Sequence, residues 1–117
     1  MGPMTHPDQF GVPSADIREI DDDAVMVDVR EPHEFAAGHA PGAILIPLGD
    51  LPHRLDELPD TDEAPVAITC RSGNRSGRAV AWLTQQGFDV VNMDGGMLAW
   101  QAAGKPVVAP TGDGHIV

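Results

Sequence analysis

The sequence predicts an α/β fold built on a mainly parallel sheet. Short apolar runs alternate with segments of helical spacing, which is typical of strands joined by helices. The run at 24–29 is apolar on both faces, as expected for a buried parallel strand, and further short strands are expected at 43–46, 65–69 and 90–93. A chain of 117 residues suits one domain of this kind.

Helix boundaries follow from capping residues. Ser14 is expected to N-cap a short helix over 15–20. Pro32 can open a second helix and Gly38 can close it. Apolar spacing predicts further helices over 51–58, 76–86 and 98–102. We therefore expect a flexible N-terminal arm over 1–13, a domain over 14–107 and a C-terminal tail over 108–117.

Composition excludes several classes of function. Eighteen acidic residues against seven Lys and Arg give a net charge of −11, which argues against nucleic acid and anionic membrane partners. No apolar stretch approaches the ~18–20 residues of a membrane span. The first residues lack a basic region followed by an apolar run, so we expect no signal peptide. The single cysteine is a free thiol, which suits a reducing, cytoplasmic location.

The segment 69-TCRSGNRSGR-78 concentrates the unusual chemistry of the chain. The only cysteine, Cys70, is followed within eight positions by three of the seven basic residues. It ends a predicted strand and precedes a predicted helix, where ligands of parallel sheets bind. Loop N–H groups and the helix dipole would form an anion cradle there, and Gly73 permits the tight turn. Such surroundings stabilise a thiolate, so we expect Cys70 to be nucleophilic.

Two structural alternatives compete with this interpretation. A lone cysteine at a strand end is often a core residue, although R-S-G-N-R-S is too polar to line a core. The loop could also be a structural anion site in which Cys70 is incidental. A metal site is not predicted, because the histidines show no ligand spacing; they are His6, His33, His39, His53 and His115.

The sequence resembles the rhodanese-like family over about 14–107. The pieces that carry the resemblance are Asp28-Val29-Arg30, Glu34-Phe35, 38-GHAPGA-43, 70-CRSGNRS-76, Gly87-Phe88, Asp94-Gly95-Gly96, Ala99-Trp100 and 104-GKPV-107. The resemblance implies a single domain with a five-stranded parallel sheet, flanked by helices on both faces. It also implies that Cys70 lies in an active-site loop.

The activity implied by this resemblance is that of a thiosulfate sulfurtransferase without a cofactor. Cys70 would take sulfur from a small anionic donor, thiosulfate or a persulfide, and hand it from a Cys70 persulfide to a thiol or cyanide. The implied binding loop consists of Arg71, Ser72, Gly73, Asn74, Arg75 and Ser76. Residues assigned to structural support are Asp28, Arg30, Gly95 and Gly96.

Some roles within the implied site stay open. Arg71 and Arg75 could attract the anionic donor, or either could brace the loop through an ion pair. Arg30 is expected to pair with Glu34 or another local carboxylate. The Gly95-Gly96 pair is expected to let backbone come close beside the loop.

Two other functions belong to the same fold. Phosphatases and arsenate reductases of this type, as the resemblance implies, have five residues between cysteine and arginine. Cys70 and Arg75 have four, so the loop suits a single sulfur better than a phosphate. A docking module or a protein-to-protein sulfur relay is the other alternative. The presence of Cys70 argues against an inert docking role, whereas relay and turnover would use the same persulfide.

Overall fold

The computed structural model describes residues 5–7 (backbone only), 11–60 and 64–117. Six strands in these ranges form one sheet: β1 (Thr5–Pro7), β2 (Pro13–Ala15), β3 (Met26–Asp28), β4 (Ala43–Leu45), β5 (Val66–Thr69) and β6 (Val90–Met93). Their order across the sheet is β1-β2-β6-β5-β3-β4. The helices are α1 (Pro32–Ala37), α2 (Asn74–Gln85) and α3 (Gly96–Ala102).

The predicted five-stranded parallel sheet is confirmed. Strands β2, β6, β5, β3 and β4 pair in parallel, and β1 adds an antiparallel edge strand. Asp28 pairs in register with Leu45 on one side and with Thr69 on the other. The carboxyl ends of the central strands therefore lie at one edge of the sheet, and Cys70 follows directly after Thr69.

Successive side chains of a strand point to opposite faces of the sheet, so both faces carry apolar residues. Helices cover each of these faces. Val27 and Ile68 lie in one core cluster with residues of α2, including Leu83. Met26 and Ala67 lie in the other, around Trp100 of α3. None of the helices in the described ranges is long and apolar enough to cross a membrane.

The predicted helix at 15–20 is wrong in its start and its type. Ser14 belongs to β2 and pairs in register with Asn92. Asp16 instead caps a 3-10 helix at Ile17–Glu19, accepting a hydrogen bond from Arg18 N at 2.8 Å. A carboxylate is a good N-cap, and Ser14 is occupied by strand pairing.

The helix predicted over 51–58 is also different. The chain forms two 3-10 helices there, Leu48–His53 and Leu55–Glu57. Pro52 explains the change, because its ring removes a backbone donor and disfavours a regular α-helix across this segment.

Both predicted end segments contain extended structure. Thr5–Pro7, within the predicted arm, pairs antiparallel with Pro13–Ala15, and the rest of 1–10 lies outside the described residues. Near the other end, Val108–Ala109 (β7) and Gly112–Asp113 (β8) form a hairpin. The limits of the domain at 14 and 107 stay predictions.

The C-terminal segment folds back over the domain. His39 N donates to Val108 O at 2.9 Å, and His115 N donates to Ala37 O at 3.0 Å. The buried indole of Trp100 donates from Nε1 to Pro106 O at 2.8 Å. The segment also reaches the turn after β5, where Arg71 Nε donates to Val117 O at 3.0 Å.

Candidate active site

The turn between β5 and α2 holds the cysteine. Gly73 is the N-cap of α2 with φ of 104°, a left-handed conformation that glycine adopts most readily. Gly73 N donates to Cys70 Sγ at 3.1 Å, and Ser76 Oγ lies 3.3 Å from the same sulfur. The turn therefore folds the sulfur beneath the first turn of the helix.

The sulfur is more deeply buried than the polar sequence of the predicted anion cradle suggested. Cys70 is 1% exposed and belongs to the same core cluster as Ile68 and Val80. Because β5 is a central strand, a side chain just beyond its end is covered by α2. The polar side chains of the loop lie at the surface instead: Arg71, Ser72 and Asn74. They form an exposed rim above a buried thiol.

Two roles were considered for Arg75, attraction of the anionic donor and bracing of the loop through an ion pair. The structure shows an ion pair. Its Nη1 and Nη2 donate to the two oxygens of Glu34 at 2.7 and 2.9 Å. This hydrogen-bonded guanidinium lowers the pKa of Glu34 to about 2, against the opposing effect of burial, and Glu34 in turn raises the pKa of Arg75. The pair ties α1 to the start of α2 across 41 positions of sequence.

Arg71 points elsewhere. Its side chain is exposed, and its Nε donates to the backbone oxygen of Val117 at 3.0 Å. This guanidinium is thus bound to a main-chain oxygen of the C-terminal segment at the surface of the loop.

The glycine pair at the start of α3 lies against the backbone of the loop. Gly95 and Gly96 have φ of 74° and 60°. A Cβ on Gly96 would come within 2.6 Å of Cys70 O and 2.7 Å of Arg71 O. The next two amides donate to these carbonyls, Met97 N at 2.8 Å and Leu98 N at 2.9 Å. A side chain at Gly96 would therefore push the loop from its position.

Asp28 and Arg30 form a fully buried pair, with both side chains at 0% exposure. Arg30 Nη2 donates to Asp28 Oδ2 at 2.8 Å and to Gly38 O at 2.7 Å. Its Nη1 reaches the backbone oxygen of Glu34 at 3.4 Å. The carboxylate partner is Asp28, because the side chain of Glu34 is taken by Arg75. The pair joins the end of β3 to α1.

Asn92 is a polar residue near the sulfur that the sequence analysis missed. It is 2% exposed on β6; its Nδ2 donates to Gly73 O at 3.1 Å, and its Oδ1 accepts from Ser76 Oγ at 2.6 Å. A signal was present, since Asn92 is the one polar residue in the run Val90-Val91-Asn92-Met93. A buried amide in an apolar strand implies a specific hydrogen-bond partner.

Metal-ligating side chains do not gather in the part of the chain that the structure describes, where no group of three or more His, Cys, Asp or Glu could hold an ion. His39 stacks on Phe35 with ring centroids 3.7 Å apart. Its Nδ1 lies 2.8 Å from Phe35 O.

Comparison with known proteins identifies the family of this chain. The sequence model of the Rhodanese-like domain matches residues 15–103. A sulfurtransferase from Allochromatium vinosum is 45% identical over 92 residues, covering 78% of this chain and 84% of that relative. A thiosulfate sulfurtransferase, GlpE, from Pseudoalteromonas translucida is 40% identical over 83 residues, covering 70% and 77%.

A solved structure agrees with the sequence relatives. The rhodanese-related protein of Thermoplasma volcanium superimposes with a TM-score of 0.72 at 35% identity, covering 81% of this chain and 96% of that one. The chain belongs to the rhodanese-like domain family, and its relatives include sulfurtransferases.

Proposed function

We propose that this chain is a sulfurtransferase that moves a sulfane sulfur from an anionic donor such as thiosulfate to a thiol or cyanide, with Cys70 as the carrier. The observation that carries the proposal is the position of Cys70 Sγ. It lies at the carboxyl edge of a parallel sheet, beneath the N-terminus of a 12-residue helix, and accepts a hydrogen bond from Gly73 N at 3.1 Å. Amide donors and the helix dipole both favour negative charge there.

In the first half-reaction, the Cys70 thiolate attacks the sulfane sulfur of the donor. A bond forms between Sγ and that sulfur, and the bond from the sulfane sulfur to the sulfonate sulfur breaks. Sulfite leaves with the bonding electron pair, and the negative charge rests on the outer sulfur of a Cys70 persulfide. Covalent catalysis of this kind divides one transfer into two displacements.

In the second half-reaction, the acceptor attacks the outer sulfur. Cyanide leaves as thiocyanate, or a thiolate becomes a persulfide, and Sγ departs as a thiolate with the electron pair of the broken bond. An S–S bond is about 2 Å long, so the reacting atom of this step lies beyond the buried Sγ. In this proposal the acceptor meets the outer sulfur and not Sγ itself, which is 1% exposed.

The position of Arg75 supports sulfur transfer over phosphate hydrolysis. A phosphatase of this type needs an arginine free to hold phosphate oxygens. Arg75, the candidate for that role, already makes two hydrogen bonds with Glu34. The name of the Pseudoalteromonas relative adds support for thiosulfate as a donor.

The test is direct because the chain has one cysteine. Incubation with thiosulfate should add one sulfur atom to the Cys70 peptide, detected by mass spectrometry, and cyanide should remove it as thiocyanate. Cys70→Ser should abolish both while leaving the thermal unfolding transition in place. Thiocyanate formation by the Cys70→Ser variant would contradict the proposal. Hydrolysis of p-nitrophenyl phosphate that depends on Cys70, without sulfur loading, would favour the phosphatase instead.

A further inference from the structure

Three side chains form a hydrogen-bonded chain that ends at the sulfur. Cys70 Sγ lies 3.3 Å from Ser76 Oγ, which lies 2.6 Å from Asn92 Oδ1. Ser76 is fully buried and Asn92 is 2% exposed. On its other side, Asn92 Nδ2 donates to Gly73 O at 3.1 Å. The chain thus joins β6 to the sulfur and to the turn that holds it.

The direction of each hydrogen bond follows from the donors available. A backbone oxygen only accepts, so the atom of Asn92 that faces Gly73 O must be its NH₂ group. Its carbonyl oxygen then faces Ser76 and can only accept. Because Asn92 Oδ1 can only accept, the Ser76 hydroxyl must donate across the 2.6 Å that separates the two oxygens. A serine hydroxyl has one proton, so that proton points to Asn92. Ser76 meets the sulfur with a lone pair.

We propose that Asn92 is a positioning residue that orients the Ser76 hydroxyl and so sets how readily Cys70 changes between thiol and thiolate. A thiol can donate its proton to the Ser76 lone pair. A thiolate needs a donor, and Ser76 becomes one only by turning its proton away from Asn92. Asn92 and the thiolate therefore compete for one proton. The inference rests on the proposed role of Cys70 as nucleophile.

The same competition changes during the proposed reaction. Once the thiol proton has left to bulk water, the Ser76 hydroxyl turns to the thiolate. In the persulfide, the charge lies on the outer sulfur and Sγ no longer needs that donor. The Ser76 hydroxyl then donates to Asn92 again. When Sγ leaves as a thiolate in the second half-reaction, the hydroxyl turns back and donates to Sγ.

Charged groups around the sulfur form the background for any pH effect. Arg75 of α2 interacts with Cys70 and is paired with Glu34 of α1. Asp28, at the end of β3, is paired with Arg30. Arg71 lies at the exposed rim of the loop beside the C-terminal segment. The variants below leave all of these groups unchanged, so a shift in titration reports the hydrogen-bonded chain.

Asn92→Leu preserves approximate volume but removes the competing acceptor. We expect the pH midpoint of thiolate formation to fall by about 0.5–1 unit, because Ser76 can then donate to the sulfur without losing a bond. Thiolate ultraviolet absorbance, measured against Cys70→Ser, gives this midpoint cleanly because the chain contains no tyrosine. Asn92→Ala serves the same purpose if the larger side chain destabilises the fold.

A double-mutant cycle separates positioning from general structural damage. In the Ser76→Ala background, the Asn92 substitution should leave the midpoint unchanged, since the proton that Asn92 orients is gone. Thr69→Val is the matched control: it removes a buried hydroxyl beside Cys70 that contacts Cys70 O at 3.3 Å. Its midpoint should equal that of the unmodified chain.

The outcomes distinguish this inference from the proposed function. Equal shifts with and without Ser76, or no shift with Asn92→Leu and Asn92→Ala, would overturn the role of Asn92 even if thiosulfate loads sulfur on Cys70. A Ser76-dependent shift in a chain that never forms a persulfide would keep the hydrogen-bond role and reject the sulfurtransferase.

Discussion

Two arginines follow an aspartate by two positions and make the same local contacts in opposite surroundings. Arg18 donates to Asp16 from N, Nε and Nη2 at 2.8, 3.0 and 2.7 Å. Arg30 repeats this pattern with Asp28 at 3.0, 3.0 and 2.8 Å. The side chains of the first pair are 82% and 35% exposed, whereas both members of the second are at 0%.

The difference shows that an Asp-x-Arg spacing predicts a contact but not its energetic worth. Around Arg18, water solvates both charges and salt screens them, so little depends on the pair. Around Arg30, the fold buries both charges completely, and the guanidinium also donates to the backbone oxygens of Glu34 and Gly38. Removing one partner of such a pair leaves the other as an uncompensated buried charge.

The largest expected effect comes from breaking the buried pair. Arg30→Met should lower the free energy of unfolding by about 3–5 kcal/mol, because Asp28 would stay buried without its counter-charge. Urea denaturation measures this loss. Arg18→Met is the matched control and should leave the unfolding midpoint within experimental scatter. Similar losses in the two variants would show that burial does not decide the worth of these pairs.

A third pair, Glu34–Arg75, lies between these extremes and should produce a pH-dependent effect. The folded-state pKa of Glu34 is lowered from 4.5 to about 2, so its contribution is complete above pH 4.5 and disappears as the pH falls toward 2. Arg75 is 33% exposed and water screens the pair, so we expect about 1–2 kcal/mol.

Urea unfolding of the unmodified chain and Glu34→Gln across this acid range checks the sign. The stability difference between them should shrink as the pH falls. Glu57→Gln is the control, because Glu57 also receives two hydrogen bonds from an arginine, Arg54, but on the exposed surface. A difference for Glu34→Gln that stays constant from neutral pH down to pH 2 would contradict the role of this ion pair.

The smallest expected effect concerns Arg71, whose Nε donates to the main-chain oxygen of Val117 and not to an Asp or Glu side chain. If thiosulfate approaches over the exposed rim, Arg71→Ala should raise its KM roughly three- to tenfold with little change in kcat, since one exposed charge is worth about 1 kcal/mol. Arg78→Ala removes an exposed arginine of α2 and should leave KM unchanged. Equal KM values for the Arg71→Ala variant and the unmodified chain would remove Arg71 from donor binding.

Local patterns in the sequence predicted much of the framework. The run at 90–93 is strand β6 residue for residue, and Pro32 and Gly38 bracket α1 as expected. The predicted start of α2 at 76 lies two residues late, since the helix begins at Asn74. These features depend on neighbouring residues, which is why periodicity and capping residues reveal them.

Contacts between residues distant in sequence could not be predicted from those local patterns. Glu34 meets Arg75 across 41 positions, and Arg71 meets Val117 across 46. Nothing in the local sequence specifies such pairs, because they depend on how strands order themselves in the sheet. The polar loop argued against a core position for Cys70, yet the sulfur is buried because the adjacent strand is central in the sheet.

The C-terminal segment has a practical consequence for anyone shortening this protein. The family match ends at residue 103, yet the indole nitrogen of Trp100 donates to Pro106 O, and Lys105 Nζ donates to Ile20 O. A recombinant fragment cut at the end of the match would expose the tryptophan and strip a buried donor of its acceptor. We therefore expect a fragment that includes Pro106 to be more stable than one that ends with the family match at residue 103.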